Sequence, residues 1–341
     1  MIPGAGRLAV HAAVTGGRVA LRLEAPAPLP FGRLVRGKRP AEAARLAALL
    51  FNVCAAAQEG GARAALGLPQ DPAAAEKLRA ETSREHALKL AVELPQILGH
   101  APDPAAPAAM ARGGDAARRA LFGPSGAPRD VEALALWAGW GETAAARAMG
   151  ALLQWPEAWG RGGAAPLDPS APVDWPGAGA PAGQGGRPVE ASVLTRQAEA
   201  PLVRELLALR GPCPATRFAA RLVEADALLS GHAPAIRAPG PAPQAAAPHA
   251  AAEAARGTML MRAALGDDGR VAAFSRATPT DFALAPGGAL EAALSAIPTD
   301  PAAPQEAVAR AALALIDPCL PWTLSLSGAL SGTLAPEPAH A

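Results

Sequence analysis

The spacing of apolar positions changes along this chain. Near the start they alternate, in Leu8-Ala9-Val10-His11-Ala12-Ala13-Val14 and again in Val19-Ala20-Leu21-Arg22-Leu23, with Gly16-Gly17 between the runs. Alternation on either side of a glycine pair predicts a β-hairpin. From Pro40 to about Glu59 the period becomes helical, with Leu46, Leu49, Leu50 and Val53 on one face after a proline start. A second helix is predicted through Thr82–Glu93, and further helical segments around residues 130–153, 201–209 and 216–229. Alternation returns in Gly257–Arg262 and Val271–Phe274, separated by Gly266-Asp267-Asp268-Gly269. Asp-Gly between apolar runs predicts a second hairpin. A last helix, from about Pro304 to Ile316, must end at Asp317-Pro318, because a proline disfavours helix in the residue before it.

Two stretches, 160–186 and 233–249, are dense in proline, glycine and alanine and lack periodicity. They are expected to be flexible loops. Residues 326–341, part of a stretch from Thr323 that contains Pro336 and Pro338, are expected to be a loose tail. There is no internal repeat, so one domain over 1–341 is the simplest organisation. Composition supports a mainly helical α+β fold. Half of the 341 residues are hydrophobic, but aromatics make up 4% and tyrosine is absent. The excess is alanine, which loses no side-chain entropy in a helix.

Charge and cysteine content exclude several functions. A net charge of +1 provides no basic footprint for nucleic acid. Three cysteines, Cys54, Cys213 and Cys319, cannot make a disulfide framework. No signal-peptide pattern is visible in residues 1–17, and apolar runs such as 311–316 are too short to span a bilayer. A cytoplasmic protein is expected. Glycine-rich phosphate loops, nucleophile elbows and paired zinc motifs are absent.

Alone, Cys54 on an apolar helical face reads as a small buried hydrophobe. The frames around two cysteines change that reading. Leu49-Leu50-Phe51-Asn52-Val53-Cys54-Ala55-Ala56-Ala57-Gln58 and Asp317-Pro318-Cys319-Leu320-Pro321-Trp322 resemble the two cysteine motifs of the nickel-iron hydrogenase large subunit, Arg-x-Cys-Gly-x-Cys-x-x-x-His and Asp-Pro-Cys-x-x-Cys-x-x-His. One cysteine of each pair is missing. Phe51 and Trp322 stand at the vacant positions, Gln58 and Ser325 at the closing histidines, Leu49 at the arginine and Asn52 at the glycine. Further segments resemble the family in the right order. They are Arg36-Gly37-Lys38-Arg39-Pro40, Glu85-His86 with the helix that follows, Val189–Arg196, and Arg217-Phe218-Ala219-Ala220-Arg221 through Glu224. Glu253-Ala254-Ala255-Arg256-Gly257 and Ala277-Thr278-Pro279-Thr280-Asp281-Phe282 complete the series. Coverage is weakest between about 100 and 188.

The resemblance implies a large-subunit-like core with small N-terminal and C-terminal antiparallel strand elements. It also implies that Arg256 and Thr280 stand where the family contacts the cyanide ligands of iron, and that Cys54 and Cys319 are the surviving metal ligands. With two thiolates instead of four, no nickel is expected, since ligand number sets geometry and affinity. Ala5 stands at the family's proton-transferring glutamate and cannot carry a proton. The closing histidine that precedes proteolytic processing in the family is missing too. The pattern therefore resembles a HupK-type hydrogenase accessory protein: a non-catalytic scaffold with no stably bound cofactor that transiently holds an Fe(CN)2CO unit. Its expected partners are hydrogenase maturation chaperones and the hydrogenase large subunit, with no nucleic acid or membrane. The alternatives are a metal-free structural subunit of a hydrogenase-like complex and a vestigial thiol enzyme. Cys213 and the histidines suggest no site, and the tryptophans between 137 and 175 suggest a core or an interface.

Overall fold

A computed structural model describes residues 6–177, 180–231, 239–241 and 249–327. The N-terminal hairpin forms as the alternation predicts, with β1 (Leu8–Thr15) antiparallel to β2 (Arg18–Glu24). α1 (Phe31–Val35), α2 (Pro40–Leu50) and α3 (Ala55–Ala65) follow. Then come α4 (Ala74–Ala87), a π-helical turn over Leu88–Glu93, α5 (Leu94–Ile97), α6 (Ala106–Arg112), α7 (Gly114–Phe122), α8 (Val131–Trp140) and α9 (Ala144–Gln154). The short strands β3 (Ala165–Pro166) and β4 (Val189–Glu190) precede α10 (Val193–Arg196), α11 (Pro201–Arg210) and α12 (Pro214–Ser230). β5 (Gly240–Pro241), β6 (Ala250–Ala254), β7 (Gly257–Leu265) and β8 (Val271–Ala277) form a four-stranded antiparallel sheet in that order. The chain closes with α13 (Pro279–Ala283), α14 (Ala289–Ser295), α15 (Gln305–Ile316) and β9 (Trp322–Ser327).

Three packed regions meet near the middle of the molecule. One is a helical core built mainly from α4–α9, α11, α12 and α15, with Leu90, Leu94, Met110, Phe122, Met149 and Phe218 at its centre. A second packs α1–α3 against the four-stranded sheet through Phe31, Val35, Ala57, Met259 and Met261. A third sets β1 and β9 on α14 and α15 through Leu8, Val10, Leu290, Leu294 and Leu313. Such a mixture of bundled helices and small sheets is α+β.

The structure departs from the sequence expectations at three places. The helix expected to run from Pro40 to Glu59 breaks at Phe51. α2 ends there, Asn52–Cys54 form a 3-10 turn, and α3 leaves at 99° to α2. No glycine or proline marks the break. The Glu81 carboxylate supplies the tertiary cause, accepting the Ala56 N–H at 2.9 Å and so capping α3 from a distant helix. The second departure is at the C-terminus. Leu326 and Ser327 are not tail but the end of β9, which pairs in parallel with β1, Leu8 opposite Trp322 and Ala13 opposite Ser327. Its alternation puts Leu324 and Leu326 against the third core. Residues 328–341 lie outside the described residues, as do Ala5, His232, and residues 233–238 and 242–248 of the second expected loop. The third is in the first expected loop, which lacks helices but is tied down by bridges such as Asp174 with Gly183 and by β3 pairing with β4.

Candidate functional site

Four turns converge to form the site. Cys54 is the residue from which α3 departs, and the break after α2 turns its side chain inward, where it is buried. Cys319 follows Asp317, the only non-glycine with positive φ among the described residues, at φ 61° and ψ 61°. Arg256 lies in the tight turn between β6 and β7. That turn depends on Gly257, whose φ is +137° and where an added Cβ would come within 1.7 Å of the Ala191 carbonyl oxygen. Only glycine fits there. Thr280 lies in the first turn of α13, whose start is fixed by reciprocal hydrogen bonds between Thr278 and Asp281.

The two cysteines, far apart in sequence, meet. Their thiols hydrogen-bond each other, and neither is in a disulfide. The Cys319 backbone N–H donates to the Thr280 hydroxyl at 2.8 Å, and that hydroxyl also bonds the Cys319 sulfur. Gln58 Nε2 donates to Cys54 Sγ at 3.6 Å. Shared between two sulfurs, the proton stays on Cys54. The hydrogen bond from Cys54 draws the Cys319 thiol down to about 6 against the opposing effect of burial, with help from Arg256 and Thr280. The Cys54 thiol is held well above its usual range by that same bond and by burial. The shared hydrogen bond thus favours negative charge on the Cys319 sulfur and the proton on Cys54.

Arg256 stands over this pair. Its Nη2 pairs with Glu85 at 3.2 Å and its Nε with Asp317 at 3.3 Å, while Nη1 is buried without a hydrogen-bond partner. Burial opposes its charge, but Asp317, Cys319, Glu85 and Cys54 together hold it firmly protonated. A cavity of about 10 Å³ borders it, lined also by Glu190, Ser192, Pro279 and Ile316. That is room for about one water.

Asp317 organises the surroundings. Besides Arg256 it receives Lys89 at 2.9 Å, from the π-helical turn, and Arg221 at 3.1 Å, from α12. Burial would raise its pKa, but Arg256, Lys89 and Arg221 overcome this and hold its carboxyl well below the carboxylate range. Three cations thus clamp a residue in a strained left-handed conformation, and the chain turns there to aim Cys319 back at Cys54. Behind Arg221 lies a second cluster. Arg221 donates to His86 Nδ1 at 3.2 Å, so the other ring nitrogen carries the proton and donates to Glu224 at 2.9 Å. Glu224 also accepts from Arg196 and Gln197, and these partners, against burial, hold it at about 2. Burial is the larger influence on His86 and lowers its pKa, keeping it neutral.

All four residues singled out in the sequence, Cys54, Cys319, Arg256 and Thr280, are therefore gathered in one place. Trp322 does not join them. It sits at the start of β9, with the Arg310 guanidinium 5.7 Å from its ring. Phe51 lies close by, in edge contact with Phe31 at 5.4 Å, and carries the guanidinium of Arg276 at 3.4 Å from its ring centroid. Sequence reasoning missed Asp317 as a hub and Arg276 altogether. Asp317 has a signal in the sequence, its place in the Asp-Pro-Cys frame, but that frame says nothing of the three cations it receives. Cys213 is buried at the start of α12, 3.5 Å from the Thr216 hydroxyl and apart from the site. Among the described residues no three His, Cys, Asp or Glu side chains come together as a metal-holding group. No single helix among them is long and apolar enough to cross a membrane.

Known proteins place this geometry in context. No protein-family model matches the chain. The hydrogenase expression/formation protein HupK of Rhodobacter capsulatus is 36% identical over 311 residues, covering 89% of this chain and 92% of that protein. The chain belongs to the HupK family of hydrogenase expression/formation proteins. Its fold is that of a hydrogenase large subunit. The Ni-Fe-Se hydrogenase of D. vulgaris Hildenborough in the reduced state superposes with a TM-score of 0.58 at 16% identity, over 90% of this chain and 94% of that one. An NAD+-reducing [NiFe]-hydrogenase in the H2-reduced state gives 0.55 at 18% identity, over 89% and 93%. The family is thus an accessory one built on the architecture of an enzyme.

Proposed function

We propose that this member of the family is a non-catalytic scaffold of nickel-iron hydrogenase maturation. Its cargo is an iron ion carrying cyanide and carbon monoxide, which Cys54 and Cys319 hold transiently before it passes to the large subunit. The supporting observation is the donor set. Two hydrogen-bonded cysteine side chains lie beside a buried arginine whose Nη1 donates to nothing. Soft thiolates suit iron, and an unpartnered guanidinium N–H would bond a cyanide nitrogen on it. A buried donor without a partner costs free energy, and such a ligand would relieve that cost. The same donor set argues against nickel, which would find two protein thiolates and an aromatic ring at Phe51. Hydrogenase maturation chaperones and the large subunit are the partners this role requires, and the cytoplasm is the compartment where they would meet.

The test is infrared spectroscopy of protein purified without oxygen after co-expression with hydrogenase maturation proteins. Cyanide and carbonyl bands are expected in the wild type and absent in Cys54→Ser and Cys319→Ser. A wild type without bands, and without a complex with a maturation chaperone, would refute the reading. Stable copurification with a hydrogenase small subunit would favour a structural subunit instead.

A further inference from the structure

A second arginine faces the thiol pair, and it makes no ion pair within 4 Å among the described residues. Arg276 leaves β8 and lays its guanidinium on the ring of Phe51, 3.4 Å from the centroid. Its Nη1 donates to Gln58 Oε1 at 3.3 Å, and the amide of the same Gln58 donates to Cys54 Sγ at 3.6 Å. The orientation of Gln58 follows, because arginine only donates and the carbonyl must face it. Among the described residues Arg276 makes no ion pair within 4 Å, whereas Arg256, Lys89 and Arg221 share Asp317, Glu85 and Glu93. The charges it faces are Asp281 on α13 and the two thiols, and burial works against it. The acidic side chains around Arg256 are therefore already matched by cations, and on the Phe51 side Arg276 faces the thiol pair with Asp281 beyond ion-pairing distance.

We infer that Arg276 is a charge gate, which admits to the thiol pair an iron whose charge is already cancelled by anionic ligands and turns away a bare divalent cation. This rests on the proposed cargo role and adds to it a basis for selection. A naked divalent ion would place two positive charges beside a guanidinium that has no ion-pair partner within 4 Å among the described residues, in a partly buried setting where charges interact more strongly than in water. Iron with two cyanides is neutral before the thiolates bind. Once both thiolates are bound the complex is dianionic, and Arg256 and Arg276 flank it. Phe51 is part of the gate, because its ring face holds the guanidinium by a cation–π contact.

The experiment is titration of the metal-free full-length chain with Co2+ alone, read by thiolate-to-cobalt charge-transfer absorption. Wild type and Arg276→Lys are expected to bind weakly. Arg276→Gln and Arg276→Met are expected to bind at least about tenfold more tightly, a change of about 1.4 kcal/mol. Thermal unfolding monitors the fold of each variant, and either neutral variant suffices. Equal Co2+ affinity in wild type and a folded neutral variant would overturn the gate, as would tight binding by Arg276→Lys. The outcome is independent of the infrared bands. A gate without bands would remove the cargo and leave the selectivity, and bands without a gate would do the reverse.

Discussion

Two buried polar regions lie on either side of Arg221, and they differ in how completely their groups are matched. Around Glu224, the carboxylate takes donors from His86, Arg196 and Gln197, and His86 takes one from Arg221. Around the thiols, among the described residues, Arg256 Nη1 has no partner, Arg276 makes no ion pair within 4 Å, and the two cysteine side chains hydrogen-bond each other. A network whose carboxylate and imidazole are both matched, with Arg196 Nη1 left over, fixes the packing of the helices that carry it. The unsatisfied pocket keeps donors in reserve for something not of the chain. Arg221 joins the two, bonding His86 on one side and Asp317 on the other, so the first holds the second in shape.

Removing Asp317, the anion on which that link ends, is expected to have the largest effect. Asp317→Ala leaves Lys89, Arg221 and Arg256 buried without their common anion and should cost about 3–5 kcal/mol. Urea unfolding would register this as a marked fall in midpoint, and a midpoint within error of wild type would show that the clamp is not structural. Gly257→Ala is next. It drives a Cβ into the Ala191 carbonyl at a φ only glycine tolerates and should cost about 3 kcal/mol in the same assay. Glu81 gives a smaller, pH-dependent effect. Burial, only partly offset by backbone donors at the start of α3, raises its carboxyl to about 7. The folded value lies above the unfolded one, so its contribution to stability is full below about pH 4.5 and is lost as pH rises through 7. Glu81→Gln should match wild type at pH 4 and exceed it at pH 8 by on the order of 2 kcal/mol. Parallel stability–pH curves would contradict this. The smallest effect is expected in the thiol pocket. Cys54→Ser should change stability by about 1 kcal/mol or less, and a larger loss would mean that the thiols hold the fold together.

Much of the site was legible because its residues sit in short frames. Arg256-Gly257, Pro279-Thr280 and Pro318-Cys319 each keep a turn whose geometry needs those neighbours. What was not legible has long-range causes. The helix break before Cys54 comes from Glu81, a group in another helix, and nothing local at Phe51 announces it. Arg276 looks like any exposed strand residue until Phe51 is beneath it. β9 is a different case. Trp322-Thr323-Leu324-Ser325-Leu326-Ser327 alternates plainly, but lacking the closing histidine it was read as a tail. Its partner is the first strand of the sheet, which no local window includes.

The parallel pairing of β9 with β1 bears on when the pocket can exist. A ribosome delivers Cys54 early and Cys319 late, and domains fold from the N-terminal side as they emerge. β1 and β2 can pair as a hairpin at once, but the edge that receives β9 stays open until the last stretch of described chain has cleared the exit tunnel. Only then does Asp317 find its three cations and Cys319 swing onto Cys54. Nascent chain would expose a lone thiol and no pocket. The paired site is a property of a chain whose last described strand has joined the first.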